Sequence, residues 1–203
     1  MYANVFELSK CLDDCIEYCR NHSDQEHARF HLPLLQQARR QLDETTDRAE
    51  KEMYDWKAAF GQDKLALKTL SKKLRSIQDQ LDKVNAIGYI DQTVMYWDRK
   101  PLLAATNEMI DYLREREDAL DFAADAADKL ERLRDKALNE GEESDRAREE
   151  YLRFSKMRAD GLITAKETIA NFRKALRREL GRSNEDYQAI QWPQQVAPDE
   201  RVL

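Results

Sequence analysis

A single heptad runs unbroken from Leu32 to Val84 and constrains this chain more than any other feature. Its a and d positions are Leu32, Leu35, Arg39, Leu42, Thr46, Ala49, Met53, Trp56, Phe60, Asp63, Leu67, Leu70, Leu74, Ile77, Leu81 and Val84, and only Arg39, Thr46 and Asp63 are polar. Side chains three and four residues apart share a helix face, so this pattern lays an apolar seam along one helix. Gly61 followed by Asp63 resembles a helix stop and a new N-cap. The register nevertheless crosses them without a slip, which a loop of arbitrary length would not preserve. The spacing predicts one helix from Pro33 to about residue 85. Pro33 would take its first position, where the missing N–H has no helical partner to lose. At 1.5 Å per residue such a helix is roughly 80 Å long, which predicts an elongated molecule.

The rest of the chain also reads as helix. Five glycines and four prolines in 203 residues leave too few turns for a sandwich or barrel, and no Gly-rich phosphate loop is present. Val5, Leu8, Leu12, Cys15 and Cys19 form a narrow stripe that predicts a short helix from about Asn4 to Asn21. Ser23 with Glu26 reads as a capping box that opens a brief helical turn. Gly88 is expected to end the long helix and Asp91 to cap the next, which Pro101 kinks or restarts. From Leu102 a stripe continues through Met109, Leu113, Leu120, Ala127 and Leu130 to Ala137, and the small residues Ala123, Ala124, Ala126 and Ala127 would admit a close neighbour. Asn139, Glu140 and Gly141 read as a helix end, and Ser144 as part of the cap of a last helix carrying Tyr151, Phe154, Phe172 and Leu176 to Leu180, with Gly181 closing it.

Three long amphipathic helices joined by short connections bury their stripes on one another, antiparallel in sequence order. The predicted fold is therefore all-α: an elongated antiparallel three-helix coiled-coil bundle with a short additional N-terminal helix. Residues 1–185 would form this single bundle and residues 186–203 a flexible C-terminal tail, since Pro193 and Pro198 prevent further helix.

The net charge of −6 conceals a segregation. Between Gln62 and Pro101 eight basic residues face five acidic ones, a net of +3, and between Asn171 and Arg182 five basic residues face Glu179, a net of +4. Chain reversals near Gly88 and Gly141 would place both segments at one end, giving it +7 and the remainder −13. Such a tip attracts an anionic partner. It also carries aromatic residues, and aromatics beside cations are enriched in interface hot spots. Tyr89, Tyr96, Trp97, Arg99, Lys100, Arg173, Lys174, Arg177 and Arg178 are the expected partner-binding residues.

All three cysteines and all three histidines fall within 21 residues: Cys11, Cys15, Cys19, His22, His27 and His31. The four-residue spacing puts the thiols on one face, with His22 following at i+3, so Cys11, Cys15, Cys19 and His22 are a candidate Zn or Cu(I) site. Core packing of small, apolar free thiols explains the same spacing. The Cys-x3-Cys ladder is similar to those of copper-storage helical bundles, over about one helix. An odd cysteine count, with neither a signal peptide nor a membrane span in the sequence, points to the cytoplasm and free thiols.

These features predict a non-enzymatic scaffold or adaptor that mediates protein–protein interaction and self-association as a homo-oligomer. No catalytic motif is present, no cofactor is required, and neither nucleic acid nor a small-molecule substrate is expected. The apolar residues Trp56, Phe60, Tyr151 and Phe154 would bury against another helix. The length and three-helix layout, with Gly61, Pro101 and Gly161 at possible points of curvature, also resemble BAR-type domains. That resemblance implies binding of anionic membrane surfaces through the basic tip.

Overall fold

The computed structural model describes residues 4–84, 86 and 98–193. Within them the chain is all-α, with five helices and no strand: α1 (Val5–Asn21), α2 (Glu26–Lys83), α3 (Arg99–Arg114), α4 (Ala123–Leu180) and α5 (Glu185–Ala189). They form two compact units. Unit 1 comprises α1, the 26–52 part of α2, the 151–180 part of α4 and α5. Unit 2 comprises the 53–83 part of α2, α3 and the 123–150 part of α4.

Helix α1 starts from a reciprocal cap. The Asn4 side chain accepts from the Glu7 N–H at 2.8 Å, and the Glu7 carboxylate accepts from the Asn4 N–H at 3.2 Å, which satisfies two donors that a helix start leaves orphaned. Its buried face, Leu8, Cys11, Leu12, Cys15, Ile16 and Cys19, is a run of three- and four-residue steps. This face packs with Ala28, Leu35, Ala38 and Leu42 of α2 and Ala165, Ile169, Phe172 and Leu176 of α4 to make the core of unit 1. Gly161 permits a close approach there, because a Cβ on it would lie 2.9 Å from the Thr45 hydroxyl oxygen.

Helix α2 begins at Glu26, seven residues before the expected start, and carries Pro33 within it. A proline there removes a single ladder hydrogen bond, while the added turn buries Ala28 completely. The expected continuity through Gly61 holds. A Cβ at Gly61 would meet nothing within 4 Å, so the glycine there loosens the helix with no packing benefit. Gly61→Ala is expected to raise stability by about 0.5–1 kcal/mol. A urea midpoint unchanged or lowered by this substitution would show that the helix is broken there.

The core of unit 2 combines Leu67, Leu70, Leu74, Ile77 and Leu81 of α2, Leu102, Met109 and Leu113 of α3, and Ala123, Ala126, Ala127 and Leu130 of α4. Two expectations about this region are corrected. The stripe from Leu102 to Ala137 is not one helix: α3 ends at Arg114, and the chain passes through turns at 115–122 before α4 starts. Leu113 and Leu120 are seven residues apart, so the heptad survives an interruption made by the polar run Arg114 to Asp118. Nor does a helix end at Gly141, since α4 runs through it. A Cβ there would come within 2.6 Å of the Arg99 guanidinium carbon, so this glycine makes room for a side chain.

The reversal at 115–122 in place of Gly141 removes the premise that gathered two basic segments at one tip. The described part of the first segment belongs to unit 2, and the 171–182 segment belongs to unit 1. At the C-terminus Gly181 ends α4 as expected, with φ +82°. Residues 185–192, assigned largely to a flexible tail, instead pack on unit 1. Asn184 caps α5 by accepting from the N–H groups of Asp186 and Tyr187, Tyr187 and Ile190 are buried, and Trp192 packs beside them. The Trp192 indole N–H donates to the Tyr187 carbonyl at 2.9 Å.

Candidate interaction surface

The polar residues of the α2 seam have distinct fates. Arg39 reaches Asp13 of α1 at 2.9 Å and also pairs with Asp43. Burial alone would lower its pKa, but the two carboxylates raise it, so Arg39 fixes α1 to α2 as a permanent cation. Thr46 is buried. Asp63, only 3% exposed, receives the Arg99 Nη2–H at 2.7 Å, while Arg99 Nη1–H donates to Asp145 at 3.0 Å. The second Asp63 oxygen is buried without a partner. Arg99 thereby ties the first turn of α3 to both α2 and α4 within unit 2. Of the expected contact residues, Arg99 is committed to these bonds and Lys100 is exposed. Tyr89, Tyr96 and Trp97 lie outside the described residues, as do Gly88 and Asp91.

In unit 1 Cys11, Cys15 and Cys19 are completely buried. The Cys11 and Cys15 sulfurs are 4.0 Å apart. Their hydrogen bond and the surrounding apolar core hold the Cys15 thiol well above its ordinary pKa, and burial pushes Cys19 up to about 12. With no metal bound, the thiolate form is disfavoured at these two positions. His22 turns away from them. Its ring stacks on Tyr18 at 4.2 Å, its Nδ1 lies 2.9 Å from the Tyr18 carbonyl, and its Nε2 faces Asp186 at 3.8 Å. Among the described residues no three His, Cys, Asp or Glu side chains are gathered to hold a metal ion.

His27 and His31 line a groove of about 610 Å³ with Glu26, Phe30 and Glu179. The His31 ring meets Phe30 and Phe172 edge-on at 5.1 and 5.4 Å. Burial, followed by the neighbouring His27, lowers the His31 pKa below its ordinary 6.5. The folded protein therefore favours neutral His31, while the unfolded chain takes up a proton as pH falls through 6.5. Its contribution is complete above that value and is lost as pH drops through the folded pKa. The urea midpoint is expected to fall between pH 7.5 and 5.5, and to fall less steeply in His31→Gln. Equal slopes in the two proteins would remove this assignment.

The basic residues of α4 divide into two sets. Arg173 donates to the Tyr187 hydroxyl at 3.1 Å and lies over the Trp192 ring at 5.3 Å, so it secures α5. Lys174, Arg177 and Arg178 are exposed and pair with no carboxylate among the described residues. Exposed apolar side chains include Phe30 (66%), Tyr54 (65%) and Phe60 (41%), with Leu65, Leu152 and Ile163. The Trp56 and Phe60 rings lie 6.2 Å apart, tilted by 37°, and Lys64 sits over the Phe60 ring at 4.4 Å. No described helix is long and apolar enough to cross a membrane. Compared with known proteins, the chain matches no family, no curated protein and no solved structure.

Proposed function

We propose that this protein is a non-enzymatic helical scaffold that works by self-association. The observation that carries this reading is an apolar stripe without full burial. Trp56 and Phe60 continue the α2 face that is buried from Asp63 to Leu81, yet Trp56 is half-buried, Phe60 is exposed, and no α2 residue between Ala49 and Asp63 is buried. Covering such side chains with a second copy removes apolar surface from water, at about 25 cal/mol per Å². Charge favours a homotypic contact: residues 53–62 contain only Asp55 and Lys57 as charged groups, so two copies meet there without net repulsion. Unit 2 draws its core from three helical segments, and unit 1 from three with Tyr187 of α5 added, which supports antiparallel three-helix coiled-coil packing as the local geometry. The free, buried thiols support a reducing, cytoplasmic setting.

Sedimentation equilibrium tests the proposal. The wild-type protein is expected to show a mass that rises with concentration above the 23.9 kDa of one chain. In about 0.5 M salt, where charged contacts are screened, Tyr54→Ser with Phe60→Ser, both at exposed positions, is expected to return it to the single-chain mass with its helix content intact. A wild-type protein that stays at 23.9 kDa throughout, or a variant that associates as strongly as wild type, overturns it.

A further inference from the structure

Lys174, Arg177 and Arg178 lie three and four residues apart on the last turns of α4. The core face of this segment, Ala165, Ile169, Phe172 and Leu176, is on the opposite side. Glu179, the one acid between 173 and 182, lines the groove beside His27 and His31 instead. The basic face is therefore of a single sign, and no carboxylate among the described residues pairs with it.

Unit 2 holds the complement. Residues 115–128 carry six acids against Arg116, a net of −5. Arg114 is bound to Glu117, Asp128 and Glu131, and Arg116 to Glu115. Asp118, Asp121 and Asp125 are exposed and have no cation partner among the described residues. Asp118 and Asp121 lie in the turns of the connection and Asp125 in the first turn of α4. The acidic connection and the basic face belong to different units.

We infer that the basic face of α4 docks the acidic α3–α4 connection of a second copy, giving a directional, head-to-tail contact. Two different patches meet in such a contact, so it propagates, unlike the closed pairing of one patch with itself. A second copy fits better than an anionic membrane because only a local acidic element matches three cations on a chain whose net charge is −6; a broad anionic surface would repel the rest of it. The inference extends the self-association proposed above but rests on separate residues and on charge, which salt screens.

The test uses two charge-reversed proteins in the Tyr54→Ser/Phe60→Ser background, so that the apolar contact does not contribute. One carries Lys174→Glu, Arg177→Glu and Arg178→Glu; the other carries Asp118→Lys, Asp121→Lys and Asp125→Lys. At about 50 mM salt each alone is expected to associate at least tenfold more weakly than the background protein. An equimolar mixture is expected to recover the association, because every contact in it again joins opposite charges, and about 0.5 M salt is expected to abolish it. Either reversed protein associating as well as the background, or a mixture that fails to recover, overturns the inference. So does binding of the background protein to phosphatidylserine vesicles that is lost with the α4 reversal while the mixture stays monomeric. Failure of the Tyr54/Phe60 result alone leaves this outcome readable, since only the charged contact depends on salt.

Discussion

Replacing Phe172 with alanine is expected to destabilise the protein by about 3–5 kcal/mol. Phe172 is among the largest completely buried side chains, and its ring meets Tyr18 of α1 at 5.9 Å, His31 of α2 at 5.4 Å and Trp192 at 6.4 Å. One side chain on α4 thus touches α1, α2 and the segment that follows α5. The cavity left by alanine is walled by rings that cannot collapse into it without abandoning their own contacts, which places the cost in the upper range for core truncations. Trp192 fluorescence should shift to longer wavelength as well, because the segment after α5 loses its support. A loss under about 1 kcal/mol would mean that unit 1 is not centred on this ring.

The second large effect belongs to unit 2. Arg99→Ala leaves the Asp63 carboxylate buried with neither oxygen satisfied, and removing one partner of a buried pair costs about 3–5 kcal/mol. The lower part of that range is expected, since water reaches part of the Arg99 side chain. Asp145 is mostly exposed, so Asp145→Asn should cost no more than about 1 kcal/mol. Arg99→Lys should not restore stability, because a single ammonium cannot span two carboxylates as the guanidinium fork does. The double variant Asp63→Leu/Arg99→Met removes both charges and is expected to unfold near or above the wild-type midpoint. Chemical denaturation of these four variants, together with Asp63→Leu and Arg99→Met alone, decides the matter. Equal, additive losses for Asp63 and Arg99 changes would show that the two do not act as a pair.

The contrast between the two mid-helix glycines shows how far the fold was legible. At Gly61 the heptad ran on, and periodicity correctly outweighed the glycine. At Gly141 the same glycine signal, reinforced by Asn139 and Glu140, pointed to a helix end. Its actual cause, space for Arg99, lies 42 positions earlier in the chain, where no local pattern reaches it. The break at 115–122 was hidden for the opposite reason: Leu113 and Leu120 keep heptad spacing across a turn, so periodicity alone could not reveal it. The signal that was available is the polar run Arg114 to Asp118, which offers no side chain for a core. Helix α5 escaped detection because five residues are too few for a period; the Asn184 cap three residues before Tyr187 was the usable clue.

The candidate site was legible only in part. Polar residues at seam positions marked Arg39 and Asp63 as special, but their partners, Asp13 and Arg99, are 26 and 36 residues away and were not deducible. The clustered cysteines and histidines suggested either a metal or a packed face of small thiols, and three of them fill a core face while His22 stacks on Tyr18. Of the basic residues grouped together by charge, Arg99 and Arg173 serve internal bonds, and Lys174, Arg177 and Arg178 face solvent. Sequence supplies the sign of a charge, but only packing reveals whether a neighbour already uses it.

Hydrogen exchange read over residues 57–66 of α2 and 137–146 of α4 tests the central claim most directly, that both helices pass unbroken through their glycines and so serve two cores each. Amides on both sides of Gly61 and Gly141, and those at the glycines themselves, are predicted to exchange well below the unprotected rate and without a step at either position. Free exchange confined to 61–64 or 141–144 would place a hinge there and contradict the account.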